Sequence, residues 1–243
     1  MSFLVVISLG MPLMRYVFDH DYVYGLLPLF DRLFDLNTEQ NIPTLFSVFL
    51  LLCASLLLAA ITLINYQRKG PANLHWAGLA CGFFFLAIDE GWAIHEMLGL
   101  PIRDLLGDGP LGVFYFAWVI PAIGGAIILT LSYKGFLQHL PPPTRLSFLV
   151  AGSLYLGGAI GVEMLSARHF KLFGPKNLRY ALFFHIEESM EMVGIILFIY
   201  ALLRYIEDQY GRITLLVGDS KPSGALIHLP NSGETNRPHA QRK

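Results

Sequence analysis

The sequence predicts an all-α protein, a polytopic transmembrane helix bundle with five or six spanning helices. Of its 243 residues 54% are hydrophobic and 14% are charged, whereas about 25% of residues are charged in soluble domains. Apolar runs of roughly 20 residues, the length of a membrane-crossing helix, recur between polar turns. The net charge of -1 gives no sign of a nucleic-acid partner. Membrane lipids are therefore the expected surroundings of most of the chain.

Five segments meet the length criterion for a span, and each is bounded by turn or charge signals. They are residues 43–66, 74–98, 111–136, 145–166 and 181–206. Together they define a predicted five-helix transmembrane core over residues 43–206. The clearest boundary is the triple proline at residues 141–143, because proline cannot continue a helix from its interior.

The two ends of the chain differ from this core. Residues 1–18 are apolar but marginally short for a span, and no basic stretch precedes them, so a cleaved signal peptide is not expected. This segment is either a sixth span or a helix lying in the membrane interface. An acidic, aromatic stretch, predicted to be external, follows it as far as residue 42. Residues 207–243 are polar and predict a partly disordered tail.

Lys and Arg in short loops predict the orientation, since they concentrate on the cytoplasmic side. Arg68, Lys69, Lys134, Arg145 and Arg204 all fall on one side, which also holds the C-terminal tail. One loop on the opposite side is basic as well, with Arg168, Lys171, Lys176 and Arg179. One interpretation is that these residues bind lipid headgroups or occur there by chance. The other is that they form a basic entrance that attracts an anionic small molecule.

Acidic and histidine residues lie within the second, fourth and fifth segments. An ionisable group at the centre of a lipid-facing helix costs about 3 kcal/mol on insertion scales, so these side chains should face protein or water. With the predicted orientation, all three groups lie at one depth near the outer leaflet. In a continuous second span, Asp89 and Glu96 would share one face, with Glu90 and His95 beside it.

The fifth segment places His185 three residues before Glu188, and Glu187 four residues before Glu191. Each pair can converge on a shared ligand at helical spacing. Three acids in an apolar run need protons, cations or basic partners. Two blander interpretations stay open: Glu96 could lie at headgroup level, and His185 could hydrogen-bond a neighbouring helix.

Mixed carboxylate and imidazole side chains suggest a zinc, iron or manganese site in the bundle. Such a site would serve metal-dependent hydrolysis or oxidation of a lipid-like substrate, with Glu90 and Glu187 as general base or supporting acid. A proton- or cation-coupled transporter is the alternative, and a non-catalytic sensory or assembly subunit is the third. The predicted metal ligands are Asp89, His95, Glu96, Glu163, His185, Glu188 and Glu191.

Three stretches carry a family resemblance: EQNIPTLFS at residues 39–47, IDE with IHE at residues 88–96, and EESMEM at residues 187–192. They resemble an uncharacterised family of bacterial multi-pass inner-membrane proteins, over roughly residues 37–205. The resemblance implies a bacterial inner membrane as the location, and it implies no particular activity.

Overall fold

A computed structural model describes residues 41–67, 73–107, 112–175 and 177–211, together with Leu33 and two short strands. Residues 1–18, the predicted sixth span, lie outside the described residues. So does most of the predicted tail.

The described chain is helical apart from one pair of two-residue strands. The strands, β1 (Thr214–Leu215) and β2 (Ile227–His228), pair antiparallel, with Thr214 opposite His228. A 3₁₀ turn, Gly112–Phe114, precedes the fourth helix, and a π-helical segment, Gly157–Val162, joins the fifth helix to the sixth. The helices are α1 (Ile42–Gln67), α2 (Asn73–Trp92), α3 (Ile94–Leu106), α4 (Val119–His139), α5 (Pro142–Leu156), α6 (Glu163–Phe173) and α7 (Leu178–Tyr210).

By length and composition, four runs in the described chain can cross a membrane: α1, α4, α7 and the continuous run Pro142–Phe173. The bent pair α2 and α3 makes a fifth if it counts as one span. The prediction of an all-helical membrane protein is confirmed, with four to five candidate spans. The longest, α7, has 33 residues and rises about 50 Å, which exceeds the hydrocarbon thickness of about 30 Å.

The prediction of one continuous helix over residues 74–98 is wrong. The chain turns by 77° between α2 and α3, and Ala93 at the break has φ 51° and ψ 41°. This left-handed conformation costs an L-residue roughly 1–2 kcal/mol, so interactions around the break must offset it. Asp89 and Glu96 consequently lie on different helices and do not share a face.

The apolar core runs along α1, which packs against α2 and α7. Leu51, Ala54, Leu58 and Ile61 are buried, and their spacing of three or four residues keeps them on one side of the helix. By contrast α4 lies at the periphery, where Ile127, Ile128 and Leu131 are exposed. Exposed side chains of this kind suit contact with lipid.

The helical run formed by α5 and the π segment approaches α7 very closely. A Cβ atom added to Gly158 would lie 2.9 Å from the carbonyl oxygen of Glu187, and one added to Gly194 would lie 2.9 Å from that of Ala151. Small residues permit such backbone approach between membrane helices. The two glycines therefore set the distance between α7 and the helix that carries Glu163.

One end of the bundle is aromatic. Trp76 is buried and its ring lies 4.9 Å from the rings of both Phe136 and Tyr205. Nearby, the Tyr210 hydroxyl donates a hydrogen bond to Asn65 Oδ1 at 2.9 Å. These contacts join the C-terminal ends of α1, α4 and α7 to the start of α2. The C-terminal end of α2 and the start of α7 therefore lie at the opposite end of the bundle.

Candidate carboxyl site

The acidic side chains of α2, α6 and α7 meet at that other end of the bundle. Glu191 interacts electrostatically with Glu90 and Asp89 of α2 and with Glu163 of α6. These side chains are partly buried. The three groups of acids predicted from separate segments of chain are therefore brought together at one end of the bundle. We call this group the carboxyl site.

Glu163 and Glu187 form the centre of the carboxyl site, where their side chains hydrogen-bond to each other. Glu163 is the first residue of α6, directly after the π segment, and Glu187 lies on α7. Two carboxyl groups can hydrogen-bond only if one of them carries a proton, since an ionised carboxylate is an acceptor only. The pair therefore forms a place where one proton can be shared between α6 and α7.

Glu188 and Glu191 surround this pair on α7. Both interact electrostatically with Glu187, and the predicted shared face of Glu187 and Glu191 agrees with this proximity. Their spacing of four residues is one helical turn. Neutral hydroxyls also lie nearby: Tyr155 of α5 is close to Glu191, and Tyr180 hydrogen-bonds Ser166 close to Glu163. Sequence reasoning did not select either tyrosine.

Asp89 and His95 face each other across the break between α2 and α3. The backbone N–H of His95 donates to Asp89 Oδ1 at 2.8 Å, and His95 Nδ1 lies 3.0 Å from Asp89 Oδ2. Ala93 occupies the N-cap position of α3 without a side-chain cap. Asp89 thus supplies the hydrogen bond that an N-cap side chain would otherwise make, which helps to offset the strain at Ala93.

Trp118, which sequence reasoning missed, connects the Glu163–Glu187 pair to the Asp89–His95 pair. Its indole Nε1–H donates to Glu163 Oε1 at 3.2 Å, and its ring centroid lies 4.6 Å from that of His95. Trp118 immediately precedes α4. A usable signal existed in the sequence, since an indole N–H near the end of an apolar segment needs an acceptor.

The remaining predicted residues are placed less centrally. Glu96 is exposed on α3, although it interacts electrostatically with Glu163. Glu90 lies on α2 near Glu191 and Tyr155. His185 is buried and its Nδ1–H donates to the carbonyl of Ala181 at 2.6 Å.

His185 also lines a cleft of about 310 Å³ beside apolar side chains such as Leu154, Leu182 and Val193. The predicted convergence of His185 and Glu188 on a shared ligand stays a prediction. The hydrogen bond of the His185 Nδ1 atom lies within α7.

Within the ranges that the structure describes, no three or more His, Cys, Asp or Glu side chains are arranged to hold a metal ion. Metal sites of this kind use several such donors converging on one point. The predicted zinc, iron or manganese site stays a prediction.

Residues 2–206 match the family described as a domain of unknown function, DUF8692. The match covers most of the chain, and the protein belongs to this family. No curated protein and no solved structure matches it. Membership in an uncharacterised family agrees with the sequence resemblance, whereas a bacterial origin is not part of this finding.

Proposed function

We propose that this protein is a proton-coupled membrane transporter in which the Glu163–Glu187 pair binds and releases the coupling proton. The observation that carries the proposal is the hydrogen bond between these two carboxyl groups on different helices. Ionisable residues between membrane helices are typical of proton relays in pumps and transporters.

The chemistry of the pair favours one position for the proton. The Trp118 indole can only donate a hydrogen bond, and it donates to Glu163. A hydrogen bond donated to Glu163 favours its ionised form, and Glu187 is then the carboxyl group that donates to it. In this arrangement Glu187 carries the proton and Glu163 carries the negative charge.

Loss of the proton would couple to a structural change. Two like charges about 4 Å apart repel by about 4 kcal/mol at an effective dielectric constant of about 20. Deprotonation of Glu187 must therefore be accompanied by separation of α6 from α7, entry of water, or arrival of a cation. Each of these events links a proton to movement or to a bound solute, as coupled transport requires.

Infrared difference spectroscopy on the protein in lipid bilayers tests proton binding directly. A pH step should change a band of protonated carboxyl groups in the wild type, and Glu187→Gln should remove that band. Glu207→Gln is the matched control, because Glu207 is exposed on the same helix and pairs with Arg204. A band that survives in both Glu187→Gln and Glu163→Gln would contradict the proposal.

Flux measurements test the transport step. In vesicles with a pH-sensitive dye inside, addition of a panel of inorganic and organic cations and anionic solutes should drive proton movement for at least one member. Glu187→Gln and Glu163→Gln should abolish that movement, whereas Glu207→Gln should retain it. Absence of flux across the panel would count against transport.

The predicted metal-dependent hydrolase or oxidoreductase is the competing proposal. Elemental analysis of the purified protein separates the two. Stoichiometric zinc, iron or manganese that is lost in Glu163→Gln would favour the enzyme and overturn the proton site.

A further inference from the structure

We propose that Trp118 is a positioning residue that ties the broken helix α2–α3 to the carboxyl pair, so that the position of α3 depends on the position of the Glu163 side chain. The inference deepens the proposed function and rests on it for the role of that coupling. It is carried by three contacts of one residue.

The first contact orients Glu163. The indole N–H reaches Glu163 Oε1 at 3.2 Å, which restricts rotation of the carboxyl group next to Glu187. An indole has no second polar atom, so it cannot exchange this bond for one that it accepts. The hydrogen bond is thus available only while Glu163 presents an acceptor.

The second and third contacts hold α3. The Trp118 ring lies 4.6 Å from the His95 ring, and His95 is itself bonded twice to Asp89. One turn later, a Cβ atom added to Gly99 would lie 3.4 Å from the Trp118 backbone nitrogen and 3.5 Å from its Cβ. The absence of a side chain at Gly99 lets α3 lie directly against Trp118.

These contacts matter because, among the described residues, α3 buries little of its own surface. Gly99 is the one residue of α3 that is fully buried in the described structure, while Leu105 near its end is 87% exposed. A second attachment lies in the cation–π contact of Arg103 with Tyr115, 5.3 Å from the ring centroid. At its start α3 joins α2 through the single left-handed residue Ala93. Loss of the Trp118 bond should therefore free α3 to move about this break.

The test measures the mobility of α3 with a nitroxide spin label. Leu105→Cys carries the label in a protein whose own cysteines, Cys53 and Cys81, are replaced by alanine. A label at Leu131→Cys on α4, also exposed, reports any general loosening. Spectra are recorded in lipid bilayers at one pH.

Trp118→Phe keeps an aromatic ring but loses the N–H donor, and Glu163→Leu loses the acceptor. Each should increase the mobility of α3 and so narrow the electron paramagnetic resonance lines of the label at residue 105. The lines of the label at residue 131 should stay unchanged. Glu163→Gln retains an acceptor oxygen, so its spectrum at residue 105 should stay as broad as that of the wild type. Combining Trp118→Phe with Glu163→Leu should add nothing further, because both remove the same bond.

An unchanged spectrum at residue 105 in Trp118→Phe, or additive effects in the double variant, would overturn the positioning role. The control Trp92→Phe, at an exposed tryptophan on α2, should change neither label. Because mobility is measured without flux, a positive result alongside absent proton flux would keep the role of Trp118 and reject transport. Proton flux together with an unchanged mobility of α3 in Trp118→Phe would keep transport and reject the positioning role of Trp118.

Discussion

At the scale of single residues, Asp89 has a structural role that its sequence position did not predict. It was expected to share a metal with Glu96 on a continuous helix. In the fold its two carboxylate oxygens both face His95, the second residue of α3. The carboxylate therefore stabilises a helix start inside the membrane protein, where unsatisfied backbone N–H groups are costly.

Asp89→Ala should destabilise the protein by about 1–2 kcal/mol, as loss of an N-cap does. It should also speed amide hydrogen exchange at the start of α3, where the His95 N–H loses its acceptor. Thermal unfolding in detergent and mass-resolved hydrogen exchange measure the two effects. Asp104→Ala, at an exposed aspartate of α3, is the control and should leave both unchanged. Equal exchange in the two variants would contradict the capping role.

At the scale of elements, the π segment Gly157–Val162 determines where Glu163 lies. A π-helical turn inserts an extra residue into the helix and is frequent at functional sites. Here it comes directly before Glu163, and Gly158 within it touches the backbone of α7 at Glu187. The helix register and the helix contact together bring the two carboxyl groups to each other.

Gly158→Ala should destabilise the protein by about 1–3 kcal/mol, the usual cost of overpacking, because the new methyl group would meet the Glu187 carbonyl oxygen. Gly161→Ala is the matched control in the same segment, since a Cβ atom there meets nothing within 4 Å. It should be neutral or slightly stabilising. Thermal unfolding in detergent compares them, and equal midpoints would refute the packing argument.

At the scale of the whole molecule, the fold has two chemically different ends. One end is aromatic around Trp76, and the other carries the carboxyl site. The positive-inside rule assigns the aromatic end, with Lys134 and the C-terminal tail, to the cytoplasm. This orientation is a proposal, together with the inner membrane of a bacterium as its location.

Cysteine labelling in intact cells tests the orientation. In the cysteine-free protein, Asp104→Cys on α3 should react with a membrane-impermeant maleimide added outside, because α3 belongs to the carboxyl end. Gln138→Cys near the end of α4 should react only after permeabilisation. Both residues are exposed, so accessibility to reagent depends on the side of the membrane. The opposite pattern would reverse the topology.

Much of the site was predictable because helical period and loop charge are local properties of a sequence. The acids of α2, α6 and α7 could be assigned to one end of the bundle from the direction of each span alone. The pairing of Glu187 with Glu191 followed from their spacing. The break at Ala93 was not predictable in this way, since an alanine within an apolar run favours a continuous helix.

The sequence by itself determined the membrane class, the approximate spans and the level at which the acids gather, because apolar length and charge position dictate these directly. Only the tertiary structure decided which atoms meet: Glu163 with Glu187, Trp118 with Glu163, and Asp89 with His95. Those contacts depend on a 77° bend and on the close approach of two helices at Gly158. The approach at Gly158 joins residues far apart in the chain, and the bend is held by the distant Trp118 as well as by Asp89. No local pattern encodes these long-range contacts.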